Sequence, residues 1–155
     1  MKNYNYQEGL LINPISNGTV IDHITGGEGL TVLRILKITG STSECVSVAT
    51  NVLSNALGTK DVVKIENREL KTEEVDRIAL IAPNATINII RDKRVVEKKG
   101  VEIPDILVGV VHCPNPCCIT NTNEPVMSRF SVQGPRLICE YCDTVISSDI
   151  SSYII

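Results

Sequence analysis

Five of the six cysteines lie between residues 113 and 142, as CPNPCC at residues 113–118 and CEYC at residues 139–142. No other feature restricts the fold as strongly. Tetrahedral zinc needs four donors about 2.3 Å from one point, and a tight turn carrying a close-spaced cysteine pair supplies two of them. The plainer reading, buried reduced thiols, asks residues 103–155 to build a core of their own, which so short a segment rarely does. A bound metal would add its binding energy to folding. Spacing leaves the first pair open: Cys113 can work with Cys117 or Cys118, and His112 stands beside them as a nitrogen donor. Four thiolates would close the site to water and substrate, so a structural ion is expected and a catalytic one is not.

The rest of the chain differs in charge. Before Gly100 there are thirteen Lys/Arg against twelve Asp/Glu, and after it two against six. Pro104 interrupts the polar junction, so the sequence predicts a boundary near residue 103, with one domain over residues 1–102 and another over 103–155. An acidic cysteine-rich segment that also carries a four-thiolate site opposes a phosphate backbone, so nucleic acid is not expected as a partner. No stretch approaches the about 20 apolar residues that cross a bilayer, and residues 1–7 are polar where an export signal has an apolar core. A soluble cytoplasmic protein with free thiols is expected, and no membrane partner.

The apolar residues are mostly Ile, Val and Leu, with no Trp and a single Phe, which favours strands. Residues 18–24 (GTVIDHI) alternate like a strand, and the glycine-rich residues 26–29 turn into a helix carrying Leu30, Val32, Leu33, Ile35 and Leu36. Residues 45–52 and 61–65 read as two strands joined by a turn. Thr72 is the expected N-cap of a second helix, with Glu73 and Glu74 in its first turn, Val75, Ile78, Ala79 and Ala82 on one face, and Pro83 as its stop. Residues 85–90 and 94–97 form a final strand and its hairpin partner, with Lys98 and Lys99 just beyond. The order βαββαβ is the split, ferredoxin-like α+β arrangement, an antiparallel sheet with two helices on one face, here followed by a small β-rich zinc domain.

Lys60 and Lys64 share a side if their segment is a strand, and a cluster of lysines near His23 is suited to a polyphosphate. The plainer reading is a solvated face in which Lys60, Lys64 and Lys98 alternate with Asp61, Glu66 and Glu97. Asp22 and His23, adjacent on a strand, are expected on opposite faces, which argues against a catalytic dyad. No phosphate-binding GxxxxGK[ST] loop, GxGxxG fingerprint or GxSxG elbow is present, and no enzyme is expected.

GTVIDHI at residues 18–24, KDVVKIEN at 60–67, the Val75-Asp76 helix ending in Ala82-Pro83, and the CPN and CEYC clusters together resemble the regulatory chains of aspartate carbamoyltransferase. The likeness covers nearly the whole length. It implies a non-catalytic subunit of a pyrimidine-biosynthesis enzyme. An N-terminal allosteric domain would pair with a second regulatory chain and bind ATP or CTP, and a zinc domain would contact the catalytic chain. It also implies that Cys113, Cys118, Cys139 and Cys142 hold the zinc, leaving Cys117 out. The positions matching the nucleotide site are Ile15, Val20, Asp22, His23, Lys60, Lys64, Asn88, Ile90, Val95 and Lys98. Lys98 and His23 would meet phosphates, Lys64 the ribose side, and Ile15, Ile90 and Val95 the base. Pro14, which lacks an N–H, departs from the family in a segment whose main chain contacts the nucleotide.

Overall fold

The structure is a computed structural model that describes residues 14–40, 43–55 and 58–155; the polar start at residues 1–7 lies outside them. The elements up to Gly100 are β1 (Gly18–Thr25), α1 (Gly29–Ile35), β2 (Val46–Ser54), β3 (Gly58–Glu66), α2 (Thr72–Ile81), β4 (Thr86–Arg91) and β5 (Arg94–Gly100). The strands form one antiparallel sheet in the order β2-β3-β1-β4-β5. The first four strands and both helices make the ferredoxin-like unit, and β5 extends its edge through a hairpin. Asp92 and Lys93, with φ of 50° and 65°, turn that hairpin with the left-handed backbone that matches the twist of paired strands.

The core follows from alternation. Ile21, Ile24, Val63, Ile65, Ile87 and Ile89 project from one face of the sheet and pack against Val32 and Leu36 near α1 and Ile78 and Ala79 of α2. Each such side chain contributes about 1.5–3 kcal/mol when fully removed from water, and β-branched residues suit both the pleat and the packing. Both helices therefore lie on that face and the other is left open.

Two local expectations change. Thr72 is the first helical residue and not the cap: Lys71 occupies the N-cap position, and no side chain bonds the exposed amides there. Its carbonyl instead accepts the N–H groups of Glu74 and Val75, while Glu73 and Glu74 still place negative charge at the positive helix end. β5 also runs on to Gly100, so Lys98 and Lys99 lie within the hairpin. The ladder persists because β4 is long enough to pair Asn88 with Lys98, Ile87 with Lys99 and Thr86 with Gly100, and a paired strand overrides the low strand preference of lysine. As expected, Pro83 stops α2, whose last bond runs from the Ala82 N–H to the Ile78 carbonyl.

A second antiparallel sheet is built from β6 (Ile106–Val108), β7 (Arg129–Gln133), β8 (Arg136–Cys139) and β9 (Val145–Ile146), followed by the short helix α3 (Ile150–Tyr153). Its core is small: Phe130, Leu107, Val110, Val111, Leu137 and Ile146, joined directly to Cys113, Cys118 and Cys139. Leu80 of α2 packs against this cluster, and the Arg77 guanidinium donates to the carbonyls of Ile155 at 3.0 Å and Gly109 at 3.4 Å. The second helix is thus the mechanical link between the two sheets. Among the described residues, no helix is long and apolar enough to cross a membrane.

Candidate functional site

Four sulfurs converge at the edge of the second core. Cys113 Sγ lies 3.6 Å from Cys142 Sγ, Cys118 Sγ lies 3.8 Å from Cys139 Sγ, and all four are within 4.8 Å of one another. A disulfide would hold its sulfurs about 2.05 Å apart, whereas four sulfurs around zinc at 2.3 Å define a tetrahedron with edges of about 3.8 Å. The donor set and its spacing therefore fit a tetrahedral zinc ion. Cys117 and His112 are exposed and outside the group.

Each pair is presented by a turn. In the first, the Cys118 N–H bonds the Asn115 carbonyl, and the Asn121 side-chain amide donates to the carbonyls of Cys113 and Asn115 at 2.8 and 2.6 Å. In the second, the Asp143 N–H bonds the Cys139 carbonyl and Asp143 takes a φ of 63°. The Thr120 hydroxyl donates to Cys118 Sγ at 3.2 Å, and the Thr144 hydroxyl stands 3.1 Å from Cys142 Sγ. Burial pushes the Cys113 thiol up to about 12 and Cys139 in the same direction, while the Thr144 hydroxyl draws Cys142 down to about 6. Buried sulfurs that resist ionisation become thiolates readily only when a cation stands among them. Asn121, Thr120 and Thr144 carry no sequence signal, because their roles depend on where the turns close.

The open face of the first sheet carries most of the remaining candidates. Register aligns Lys64 with Val20, Val20 with Asn88 and Asn88 with Lys98, a row across four strands. The Asn88 side-chain amide donates to the Val20 carbonyl at 3.4 Å. Ile90 pairs with Val95 on the neighbouring strand. The segment carrying the buried Ile15 is tied to the turn before Val95 by a bond from the Lys93 N–H to the Ser16 carbonyl. Lys60 Nζ meets Asp22 Oδ1 at 2.9 Å.

Asp22 and His23 do not alternate as a regular strand requires. β1 shifts register between Ile21 and Ile24, and His23 has a φ of 55°, so the extra residue of a bulge brings the two side chains together. The Asp22 carboxylate accepts the His23 N–H at 2.7 Å, and the imidazole Nδ1 lies 3.9 Å from Asp22 Oδ2 and 3.3 Å from Thr86 Oγ1. Thr86 escaped sequence reasoning because its place beside His23 depends on pairing between distant strands. Asp61 was expected on a solvated face and is instead fully buried, facing the helices because the alternation of β3 turns Lys60 and Lys64 outward and Asp61 inward.

Burial raises the Asp22 carboxyl, but the Lys60 ammonium, the His23 N–H and the charges of both side chains outweigh it and hold the group below its ordinary value. Burial pulls the Lys64 ammonium down, opposed by the charge of Asp22. A depressed carboxylate stabilises the fold fully above its unfolded pKa of about 3.9 and loses that contribution as pH falls through the lower folded value. Thermal unfolding of Asp22→Asn beside the unmodified chain is expected to show a stability gap at neutral pH that closes in acid. A gap of constant size would show that the charge of Asp22 is not the cause.

The family described as aspartate carbamoyltransferase regulatory chain, allosteric domain, matches residues 10–102, and the metal binding domain of the same chain matches residues 105–152. The chain belongs to this family. It is 72% identical to the regulatory chain of Methanospirillum hungatei over the whole of both chains. The regulatory chains of Methanoculleus marisnigri and Haloarcula marismortui are 69% and 57% identical over 95% and 94% of each chain. Membership in the aspartate carbamoyltransferase regulatory chains makes this an allosteric subunit without catalytic machinery of its own. The four-cysteine cluster falls inside the part matched as metal binding, and the row of Lys64, Val20, Asn88 and Lys98 inside the part matched as allosteric.

Proposed function

We propose that this regulatory chain binds ATP or CTP on the open face of its first sheet and passes the resulting bias to an aspartate carbamoyltransferase catalytic chain through its zinc domain. Residues 1–102 form the allosteric domain and residues 103–155 the zinc domain in this reading. The observation that carries it is the cationic face: Lys60, Lys64, His23 and Lys98 converge around Asp22 and Asn88 on neighbouring strands. Lys98 and His23 would meet phosphate oxygens, Lys64 the ribose side, and Ile15, Ile90 and Val95 the base, with Asp22 orienting Lys60.

One zinc ion held by Cys113, Cys118, Cys139 and Cys142 would shape the docking surface without touching substrate. Two regulatory chains would pair within the cytoplasmic hetero-oligomer. An effector controls such an assembly only if it binds two quaternary states with different affinity. A stand-alone zinc ribbon on nucleic acid is the reading that family membership does not favour. Sedimentation of the zinc-loaded chain with the catalytic subunit of the same organism is expected to give one species larger than either alone. A folded, zinc-loaded chain that forms no complex would sink the docking role.

A further inference from the structure

The buried Asp61 lies on the side of the sheet opposite the proposed nucleotide face, yet it holds the backbone on which that face is built. Its carboxylate accepts three main-chain N–H groups: Gly29 at 2.7 Å and Gly27 at 3.1 Å on Oδ2, and Asn51 at 2.8 Å on Oδ1. Gly27 lies in the turn between β1 and α1, Gly29 opens α1, and Asn51 lies in β2, so one side chain ties together the segments flanking β3.

Both flanking strands are bulged at this point. Asp22 and His23 of β1 stand against Val62, between the pairs Ile21–Val63 and Ile24–Asp61, and Thr50 and Asn51 of β2 stand against Asp61, between Ala49–Val62 and Val52–Lys60. His23 and Asn51 both take a φ of 55°. A bulge leaves an amide without a ladder partner, and a buried amide without a partner is costly. Asp61 accepts that of Asn51 directly. The approach is close on the β1 side as well: a Cβ added at Gly29 would stand 2.9 Å from Asp61 Oδ2, so glycine alone lets the start of α1 reach the carboxylate.

The β1 bulge is what places Asp22 and His23 on one side, where Asp22 meets Lys60, the residue next to Asp61. We infer that Asp61 is a positioning residue for the Asp22–His23–Lys60 constellation: it clamps the turn after the β1 bulge and the β2 bulge from behind the sheet, and so sets the geometry of the polyphosphate-recognising side chains without touching the ligand. The clamp itself stands on the backbone bonds alone, while its effect on nucleotide affinity rests on the function proposed above.

Asp61→Asn keeps the shape of the side chain but offers one acceptor oxygen where three N–H groups converge. The full-length chain carrying Asp61→Asn is compared with Val63→Ala, which weakens the same buried face of β3 by leaving a cavity. The two are studied at temperatures equally far below their own unfolding midpoints. In nucleotide-free protein, the NMR signals of the His23 amide and ring are expected to move in Asp61→Asn and to stay near their usual positions in Val63→Ala. Calorimetric titration with ATP and CTP is expected to show affinity lowered by about tenfold in Asp61→Asn only, as displaced binding groups entail.

Unmoved His23 signals in Asp61→Asn, or equal losses of affinity in both variants, would overturn the positioning role. If the unmodified chain binds neither nucleotide while the His23 signals still move in Asp61→Asn, the nucleotide reading fails and the clamp on the bulges stands. If the signals move and the affinity is unchanged, the clamp's link to ligand recognition is refuted.

Discussion

Cys139→Ser is expected to release the metal and unfold β6 to β9, while the five-stranded sheet keeps its structure. The reasoning rests on the size of the second core. Cys113, Cys118 and Cys139 are themselves members of it, alongside six larger or equally buried aliphatic and aromatic side chains, so the ion and the core cannot be lost separately. Structural zinc contributes about 10–16 kcal/mol of apparent binding energy in small metal domains, comparable to everything these six side chains supply at about 1.5–3 kcal/mol each, and chain entropy already offsets most of that burial. The first sheet has its own cluster, with no cysteine in it. Chelator titration is expected to find no tightly held metal in Cys139→Ser, and amide exchange is expected to show protection confined to residues before Gly100. Cys117→Ser, which alters an exposed thiol outside the cluster, is expected to retain the ion. Full metal retention by Cys139→Ser would refute the four-sulfur assignment.

Lys98→Ala is expected to weaken ATP and CTP binding by about 10- to 150-fold, the equivalent of one charge-assisted hydrogen bond of about 1.5–3 kcal/mol. Lys98 projects from an exposed strand and pairs with Asn88 across the ladder, so its loss leaves the core intact and is expected to change stability by less than about 0.5 kcal/mol. The affinity loss should shrink at high salt, because much of the contact is screened charge. Calorimetric titration at two salt concentrations reads both effects. An unchanged affinity for both nucleotides would remove Lys98 from the phosphate site.

Much of the fold was legible. The glycine-rich turn after β1, the proline ending α2 and the β-branched runs of β3 and β4 are local signals, and each element appears where its signal lies. Errors fell where a partner decides. β5 extends past Glu97 because β4 supplies a ladder that far, and Thr72 gives up the cap because Lys71 already turns the chain there. On the open face, the outward direction of Lys60 and Lys64 followed from alternation, but the bulge that unites Asp22 with His23 breaks the same rule. Arg77 drew no notice as a sequence feature, since its acceptors are carbonyls at Gly109 and Ile155.

The sequence by itself determined the order of elements, the change of character near residue 100 and the supply of cysteines for a closed metal site. These depend on residue type and short-range spacing, which act within one turn or one strand. Only the tertiary structure decided that Cys117 and His112 stand outside the sulfur cluster, that Asp61 is buried among backbone amides, and that Lys64, Val20, Asn88 and Lys98 share one row. Register and bulges are set by pairing between strands far apart in the chain, and a single inserted residue reverses the direction of every side chain that follows it.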